Sequence, residues 1–440
     1  MTKNKLKVLL IIEQCNPAWN SVPLEGYHLY TGISRFVDAT LVTHERNREE
    51  IEKIHPDADI IYLKDSAVIS KIEKIGLRLS LFKGQIIWPL RNAFTYPIYW
   101  GFNRAVYSLF KDAIARGDYD LVHSITPMMP RYPVKTVKAC TKTPFILGPV
   151  NGGVPFPDGF KELGRKEYSY LNFLRWVGRS IIPGYRETYK KANHILAGST
   201  YTLELIKKLF PKIQDDQIEL FYENGITSSF VRSDEDFAQK KIPTEAREDN
   251  KVKLLYVGRL VPYKGADMLL DAIARLDTHV KKKINLTFVG GQGSERENLE
   301  NQAKQLKLSE VVHFIGHVPQ YRTLEYYQNS DIFCFPSVRE FGGAVVLEAM
   351  ANALPCIVVD NGGIGEYVTK KTGFKISPVS REFVVEKLAV YITQLVNDHI
   401  MRHDMSYEYL QRAKEITWDV KTRKIVDIYS EVLETKPVAI

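Results

Sequence analysis

The sequence predicts an α/β protein of two doubly wound domains, in which parallel sheets are covered by helices on both faces. Short, nearly continuous apolar runs alternate with longer segments of helical periodicity, which is the pattern of parallel βαβ units. The 440-residue chain is too long for one typical core and suits two domains of about 200 residues. Its 45% apolar and 25% charged residues are typical of a globular protein.

The predicted strands form two sets, and each strand is a short run that is apolar almost throughout. In the first half the predicted strands are Lys7–Ile12, Ala39–Thr43, Ile60–Leu63, Leu121–Ser124, Phe145–Gly148 and His194–Ala197. In the second half they are Lys253–Val257, Asn285–Val289, Val311–Ile315, Ile332–Phe335 and Cys356–Val359. The charged stretch 233–251 is predicted to be a loop or linker, and we expect the hinge between the domains near residues 200–230.

Bulk properties narrow the class of protein. The four cysteines lie far apart and form no CxxC pair, which argues against structural zinc and a disulfide framework and favours reduced thiols in the cytoplasm. No apolar run is long enough for a transmembrane helix, and Val8–Ile12 is too short for a signal-peptide core. The net charge of +8 suits a solvated surface, an anionic membrane or an anionic substrate. No nucleic-acid-binding motif of the usual kinds is present, so no nucleic-acid partner is expected.

Two glutamates, Glu340 and Glu348, flank a predicted helix start in the second half. A strand ends just before Glu340, and Gly342–Gly343 lead into a helix whose predicted apolar stripe is Leu347, Met350, Ala351 and Leu354. Glycines allow a ligand to approach backbone amides, and a helix N-terminus favours a phosphate. Glu348 is then placed to reach a ribose hydroxyl, and Glu340 to reach a sugar beyond the phosphates. Two such glutamates by themselves would more often be surface acids, so the surrounding pattern carries the prediction.

Two cations, Arg259 and Lys264, follow the first strand of the same half. Ligands of open α/β sheets bind beyond the carboxyl ends of the strands, so both cations are at the expected edge. Arg binds phosphate oxygens through two hydrogen bonds and Lys adds a point charge, which suits a departing nucleoside diphosphate. No Asp-x-Asp pair is placed to hold a metal ion, so we expect neither a metal nor another cofactor. The alternative is a pair of solvated surface cations.

Together these motifs resemble the E-x7-E signature of glycosyltransferase family 4, the group 1 set of GT-B-fold enzymes. The resemblance extends to Asp360–Glu366, to Asn224–Ile226 and to Val257–Leu260 with Lys264–Gly265, and it is much weaker before about residue 195. It implies the GT-B fold, in which two Rossmann-like domains face each other across a crevice. We accordingly expect an N-terminal acceptor-side domain at 1–205, a nucleotide-sugar donor domain at 206–415, and a C-terminal helix at 416–440 that crosses back to the N-terminal domain.

The resemblance implies a retaining, metal-independent glycosyltransferase of the hexosyltransferase type. It would move a sugar from a UDP- or GDP-sugar to the hydroxyl of a glycan or lipid-linked acceptor, in the synthesis of cell-surface polysaccharide or glycolipid. The resemblance gives catalytic roles to Glu340, Arg259 and Lys264. The implied donor-binding residues are Glu348, Gly342, Gly343, Phe341, Ala344, Val345 and Val318. The alternatives are a GT-B-fold sugar-nucleotide epimerase and a non-catalytic subunit that binds a sugar nucleotide or glycan.

The first half carries weaker candidates. His123 is predicted at the carboxyl end of a strand, where the family often has a histidine that contacts the transferred sugar. Many members carry His-x-His, whereas here Ser124-Ile125 follows, so a core histidine is the alternative. A glycine- and proline-rich loop supplies further candidates for sugar or acceptor contact, with a structural turn as the alternative. These loop candidates are Asn151, Gly152 and Gly153.

Two other segments have competing interpretations. Residues 64–116 are basic and aromatic, which fits either an anionic bilayer surface or packed helices with solvated Lys and Arg. We therefore expect a cytoplasmic protein, with peripheral contact at the inner face of the cell membrane as a hypothesis. Val289–Arg296 follows a strand like a dinucleotide fingerprint, but Arg296 stands where the third glycine belongs. We therefore interpret it as a tight turn.

Overall fold

The computed structural model describes residues 5–82, 85–172, 178–179, 181–239, 251–291 and 295–435. By contacts, the chain divides into two compact units. The first unit contains residues 1–153, 164–223 and 418–440, and the second contains residues 154–163 and 224–417. The division between Glu223 and Asn224 falls later in the chain than the boundary expected at 205/206. Residues 240–250 of the expected linker lie outside the described part of the chain.

The first unit is built around a seven-stranded parallel sheet with the order β3-β2-β1-β6-β7-β8-β9. Its strands are β1 (Lys7–Ile12), β2 (Asp38–His44), β3 (Ile60–Leu63), β6 (Leu121–Thr126), β7 (Phe145–Val150), β8 (His194–Ala197) and β9 (Ile218–Leu220). A separate antiparallel pair is formed by β4 (Leu81–Phe82) and β5 (Gln85–Ile86). The helices are α1 (Val22–Ile33), α2 (Arg48–Glu52), α3 (Ala67–Leu79), α4 (Trp88–Arg116), α6 (Tyr185–Lys191), α7 (Thr200–Leu209) and α17 (Trp418–Glu434); α5 (Lys161–Lys166) has residues in both units.

Alternation along β1 shows how this sheet is covered on both faces. Val8 and Leu10 enter one hydrophobic cluster with residues of α1 and α17. Leu9 and Ile11 enter a second cluster with residues of α4. All four side chains are almost completely buried, because successive residues of a strand point to opposite faces. The apolar run of β1 therefore suits a strand that is covered by hydrophobic clusters on both faces.

The second unit contains a six-stranded parallel sheet with the order β12-β11-β10-β13-β14-β15. Its strands are β10 (Val252–Val257), β11 (Ile284–Val289), β12 (Val312–Gly316), β13 (Ile332–Phe335), β14 (Cys356–Val359) and β15 (Gly373–Ile376). Its helices are α8 (Asp234–Gln239), α9 (Ala266–Arg275), α10 (Thr278–Lys281), α11 (Arg296–Gln305), α12 (Gln320–Gln328), α13 (Ala344–Ala351), α14 (Gly363–Tyr367), α15 (Arg381–Asn397) and α16 (His399–Lys414).

The order of the second sheet determines where a ligand can bind. The chain builds outward from β10 in one direction through β11 and β12, and in the other direction through β13, β14 and β15. After the neighbouring strands β10 and β13, the chain therefore continues to the next strand in opposite directions along the sheet. Such a switch point leaves a cleft at the carboxyl edge of the sheet, which is the usual binding place in doubly wound folds.

The predicted α/β class with two parallel, doubly wound sheets is confirmed. Every predicted strand is present, with end points that differ by at most a few residues. The predicted helix after Gly343 ends at Ala351, so Leu354 lies beyond it, although this side chain is buried. In the described ranges, no helix is long and apolar enough to cross a membrane.

Candidate functional site

Charged side chains meet at the carboxyl edge of the second sheet, where β10 lies beside β13. Lys264 follows β10, Glu340 follows β13, and the Lys264 ammonium forms an ion pair with the Glu340 carboxylate. Their side chains are only 11% and 15% exposed. Arg259 is exposed, and its guanidinium donates a hydrogen bond to the Tyr263 hydroxyl at 2.6 Å. The structure thus brings Lys264 and Glu340, which are far apart in sequence, into direct contact.

Backbone contacts fix Lys264 against the Glu340 loop. Lys264 ends a 3₁₀ turn, and the next residue, Gly265, has the left-handed φ of 73°. A Cβ at Gly265 would lie 2.3 Å from the carbonyl oxygen of Pro336, so only glycine allows this approach. In the same region the Val338 amide donates to the Tyr263 carbonyl oxygen at 2.9 Å. The loops after β10 and β13 therefore form one backbone-linked structure.

The surroundings of Lys264 are apolar and aromatic. Its ammonium lies 5.0 Å from the ring centroid of Phe335 and 5.7 Å from that of Tyr263, within the range of cation–π attraction. In such low-dielectric surroundings a charge without a partner is costly, so each member of the Lys264–Glu340 pair depends on the other. A phosphate near this ammonium would feel a stronger field than it would at an exposed surface.

Two glycine turns pack against each other beside this ion pair. The Gly363 amide donates to the carbonyl oxygen of Phe341 at 3.0 Å. A Cβ at Gly362 would lie 1.9 Å from the Glu340 carbonyl oxygen. Gly343 has a φ of 60° and directly precedes α13. Because the first amides of a helix lack intrahelical acceptors and lie at its positive end, the start of α13 suits an anionic group.

Replacing Gly362 by Ala is expected to displace the Glu340 loop and to lower the free energy of unfolding of the second unit by about 3 kcal/mol. The new methyl group would overlap the Glu340 carbonyl oxygen. Gly117 is the control for a left-handed backbone without crowding, since its φ is 84°, its ψ is 28°, and no atom lies within 4 Å of a Cβ there. Gly362 has a φ of 92° and a ψ of −164°, so its loss combines crowding with a backbone conformation that is nearly restricted to glycine. Gly117→Ala should therefore cost only the left-handed backbone term of about 1 kcal/mol. Equal losses in urea unfolding of the two variants would contradict the tight packing.

Glu348 is buried on α13 and held from α12. One of its carboxylate oxygens accepts a hydrogen bond from the Tyr327 hydroxyl at 2.8 Å, and the other accepts one from the Gln320 side-chain amide at 3.0 Å. Burial raises the pKa of Glu348, and these two hydrogen bonds offset that effect in part. A carboxylate can accept about four hydrogen bonds, so Glu348 keeps capacity for a ligand hydroxyl.

The other predicted donor-binding residues lie around Glu340 and Glu348. Phe341 and Val345 are partly exposed, Ala344 is exposed, and the Val345 carbonyl oxygen accepts from the Tyr327 hydroxyl at 3.3 Å. Val318 is partly exposed and lies two residues before Gln320, whose amide contacts Glu348. These residues therefore lie beside the side chains and loops that hold Glu340 and Glu348 in place.

Arg339 was missed by the sequence analysis. Its Nε donates to the Val154 carbonyl oxygen at 2.8 Å, and its guanidinium lies 5.0 Å from the Phe156 ring centroid and 5.1 Å from that of Phe341. Asn361 in turn donates to the Pro155 carbonyl oxygen at 3.2 Å. Residues 154–156 thus support the Glu340 loop. Two features of the sequence could have indicated this contact: Arg339 is next to Glu340, and Phe156 lies between Pro155 and Pro157.

His123 is placed differently from the prediction. It lies within β6 rather than at its carboxyl end, and it has no exposed surface. One ring nitrogen, Nε2, is 2.7 Å from the Gly148 carbonyl oxygen, and the other, Nδ1, is 2.7 Å from the Tyr429 hydroxyl. Because a carbonyl only accepts, Nε2 carries the proton and Nδ1 accepts from Tyr429. This arrangement fits a core histidine.

The pKa of His123 predicts a pH-dependent stability. Burial lowers this pKa from 6.5 to about 4. Below about pH 6.5 the unfolded chain binds a proton that the folded chain excludes, so the free energy of unfolding falls as the pH decreases toward 4. Above pH 6.5 the contribution is fully present. The expected total loss is about 3 kcal/mol.

Urea unfolding at a series of pH values tests this prediction. His123→Gln should flatten the profile between about pH 6.5 and 4, whereas His403→Gln, at an exposed position, should leave the slope unchanged. Burial also lowers the pKa of His28 to about 4, but this residue is present in every variant and cancels in the comparison. Identical slopes for wild type and His123→Gln would contradict the assignment.

The loop with Asn151, Gly152 and Gly153 is anchored within the first unit. The Asn151 side-chain oxygen accepts hydrogen bonds from the hydroxyls of Ser199 and Thr202 at 2.8 and 2.9 Å, at the start of α7. Gly152 and Gly153 have φ values of 136° and 89°, which favour glycine. These contacts account for a structural turn, and contact with a sugar or acceptor stays a prediction.

The turn after β11 has a packing role that explains its glycine. A Cβ at Gly290 would lie 1.9 Å from the Gly258 carbonyl oxygen, so the turn packs against the end of β10. Residues 292–294 of the fingerprint-like stretch lie outside the described part of the chain. Among the residues that the structure describes, no three His, Cys, Asp or Glu side chains are grouped so that they could hold a metal ion.

Comparison with known proteins connects this site with one family. Residues 237–412 match the family model of glycosyl transferases group 1. A D-inositol 3-phosphate glycosyltransferase of Corynebacterium urealyticum is 30% identical over 188 residues, which are 41% of this chain and 43% of that protein. The chain thus spans less than half the length of this curated relative. The residues matched by the family model include Lys264, Glu340 and Glu348.

Solved structures resemble the chain over nearly its whole length. The sucrose-phosphate synthase of Thermosynechococcus elongatus has a TM-score of 0.65 at 17% identity, covering 98% of this chain and 100% of that one. Anabaena HepE in complex with UDP has a TM-score of 0.62 at 16% identity, covering 97% and 100%. At these identities the likeness shows the fold, which is that of two Rossmann-like domains.

Proposed function

We propose that this protein is a glycosyltransferase that moves a sugar from a nucleoside-diphosphate sugar to an acceptor hydroxyl. The observation that carries the proposal is the largely buried Lys264–Glu340 pair, which lies at the switch point of the second sheet beside two glycine turns. Cations and helix-start amides at this edge suit a diphosphate. The match of residues 237–412 to glycosyl transferases group 1 supports the same reaction.

In the proposed reaction, the bond between the sugar C1 and the diphosphate oxygen breaks, and its electron pair stays with the diphosphate. The acceptor hydroxyl oxygen forms the new bond to C1, and its proton passes to an oxygen of the leaving phosphate. Arg259 and Lys264 stabilise the negative charge that grows on the diphosphate, and electrostatic stabilisation of this kind is usually the largest single contribution to catalysis. We propose that these two cations do this without a divalent metal and that the anomeric configuration is retained.

Glu340 and Glu348 have separate roles in this proposal. Glu340 lies against Lys264, so its carboxylate supports the sugar as positive charge develops at C1. Glu348 is farther along α13 and is fixed by Tyr327 and Gln320, which suits a static contact with the ribose. His123 is not given a catalytic role, since both ring nitrogens bind within the core.

The UDP in the HepE structure favours a UDP-sugar as the first donor to test, with GDP-sugars as the alternative. We further propose a cytoplasmic role in the synthesis of cell-surface polysaccharide or glycolipid, with a glycan or lipid-linked acceptor. This part of the proposal rests on the family resemblance of the sequence.

A donor screen tests the function. Thermal unfolding and slow donor hydrolysis would be measured with UDP- and GDP-sugars, in EDTA and in Mg²⁺. Either the UDP-sugars or the GDP-sugars should raise the melting temperature, since a ligand at 100 times its Kd adds about 2.7 kcal/mol to stability. EDTA should not remove this effect. UDP and GDP, which lack the sugar, are compared with UMP and GMP, which also lack the second phosphate; the monophosphates should bind less tightly. A donor that binds without hydrolysis or transfer to any acceptor would favour a non-catalytic subunit, and no binding under either condition would overturn the proposal.

A further inference from the structure

An apolar stripe on α3 is exposed on the surface of the first unit. Four residues spaced four, three and four positions apart share one face of this helix. They are Val68, Ile72, Ile75 and Leu79, with exposed fractions of 67%, 39%, 59% and 59%. Leu81, just after the helix, is 50% exposed. A row of large aliphatic side chains in water on a single helix marks an interaction surface.

The stripe is distinct from the face by which α3 packs on the protein. That packing face contains Ile69 and Gly76, which lie against α4. A Cβ at Gly76 would be 2.4 Å from the Phe94 Cβ, and a Cβ at Gly101 would be 2.4 Å from the Ile69 Cδ1. The helix is thus already anchored to the protein through a different row of residues. The exposed stripe is not needed for that packing.

Basic side chains occupy the next face of the same helix. Lys71, Lys74 and Arg78 are exposed and are spaced three and four residues apart. The sequence of α3 contains a single acidic residue, Glu73. A stripe of aliphatic residues bordered by cations is the pattern of a helix that lies in a membrane interface, with its apolar side chains in the acyl boundary and its cations at anionic headgroups.

We propose that α3 docks the protein onto an anionic membrane surface, with Val68, Ile72, Ile75 and Leu79 inserted between lipids and the basic row facing headgroup phosphates. Charge complementarity commits the partner to a lipid surface rather than to a second copy of the chain, because a copy would bring a second basic row to the same interface. The proposal does not depend on glycosyl transfer, since docking is measured without a donor or an acceptor.

Co-sedimentation of the full chain with vesicles tests the proposal. The vesicles would be phosphatidylcholine alone, or phosphatidylcholine in which about one third of the lipid is replaced by phosphatidylglycerol. We expect binding to the anionic vesicles, weaker binding at high salt, and little binding to the neutral vesicles. The absence of binding to anionic vesicles would overturn the proposal.

Two variants and two matched controls locate the surface. The variant Lys71→Gln/Lys74→Gln/Arg78→Gln should weaken binding on the order of 100-fold, at about 5-fold for each charge. The variant Ile72→Gln/Ile75→Gln should weaken it by at least about 10-fold. The controls change equally exposed residue types in the second unit and should bind like wild type; they are Lys282→Gln/Lys283→Gln/Lys304→Gln and Val390→Gln/Ile400→Gln.

Further readouts separate docking from folding and from self-association. Circular dichroism melting must show that the α3 variants stay folded, and any variant that unfolds is replaced by the single change Ile75→Gln. Vesicle binding that the α3 variants leave unchanged would contradict the proposal. So would a concentration-dependent dimer in sedimentation velocity that the α3 variants abolish, since the stripe would then be an interface between copies. Donor hydrolysis should be unchanged in every variant, so a failure here is distinguishable from a failure of the proposed function.

Discussion

Replacing Lys264 by Met is expected to lower kcat/KM for glycosyl transfer by on the order of 100- to 1000-fold. The Met side chain can still pack against the Phe335 ring, but it offers no charge to the departing diphosphate. The change also leaves Glu340 as a buried carboxylate without its partner, which should lower the free energy of unfolding by about 3–5 kcal/mol. One substitution therefore affects both stability and activity, and the two effects need separate measurements.

A second substitution separates the effect on stability from the effect on activity. In the double variant Lys264→Met/Glu340→Gln the buried carboxylate is gone, so most of the lost stability should return in urea unfolding, whereas transfer should stay low. Lys414→Met is the matched control, because Lys414 forms an ion pair with Asp234 at 2.8 Å on the exposed surface of the same unit. It should change stability by less than about 1 kcal/mol and leave transfer unchanged. If Lys264→Met lost stability but transferred sugar at the wild-type rate, the pair would be structural and the proposed role of Lys264 would be wrong.

The sequence was most informative where burial is complete. Apart from Lys7 and Lys253, the central strands β1, β10 and β13 are apolar, and this pattern favours a strand covered on both faces. Besides the short antiparallel pair β4 and β5, the strands that were not predicted are β9 and β15. These two lie at sheet edges and carry polar residues such as Glu219 and Lys375. At an edge the requirement for apolar residues is relaxed, so the composition no longer distinguishes a strand from a loop.

The candidate site was predictable only in part, for a related reason. Strand ends place Arg259, Lys264 and Glu340 at the carboxyl edge of a sheet, but the pairing of Lys264 with Glu340 depends on β10 and β13 being neighbours. That neighbour relation follows from the strand order, which no local pattern contains. The hydrogen bond from Arg339 to the Val154 carbonyl oxygen could not be predicted for the same reason, since these residues are far apart in sequence.

For His123, a local pattern predicted a position at the carboxyl end of a strand, whereas the structure places this residue inside β6. A histidine near the end of an apolar run looks like a ligand-facing residue, yet β6 continues to Thr126 and encloses it. Its partner Tyr429 comes from α17, at the far end of the chain. A sequence pattern specifies the strand, but it does not reveal the tertiary partner that gives a buried polar group its hydrogen bond.

The two glutamates are expected to respond differently to the same isosteric change. Glu340→Gln should lower kcat by on the order of 100- to 1000-fold with little change in the donor KM, because the negative charge that it removes acts on the developing charge at C1. Glu348→Gln should raise the donor KM by about 10- to 100-fold with kcat nearly unchanged, since a ribose hydroxyl donates more strongly to a carboxylate than to an amide. Steady-state kinetics over a range of donor concentrations distinguishes the two patterns.

The pH dependence of the donor KM gives a second test of the role of Glu348. Because burial raises the pKa of Glu348, its carboxylate is protonated at a higher pH than an ordinary glutamate, so the donor KM should begin to rise as the pH falls toward that pKa. Glu348→Gln should remove this rise. Glu325→Gln, at an exposed position on α12, is the matched control and should preserve both kcat and the pH profile. If Glu340→Gln changed only KM and Glu348→Gln changed only kcat, the roles of the two residues would be exchanged: the acid on α13 would act on the sugar, and the acid paired with Lys264 would serve donor binding alone.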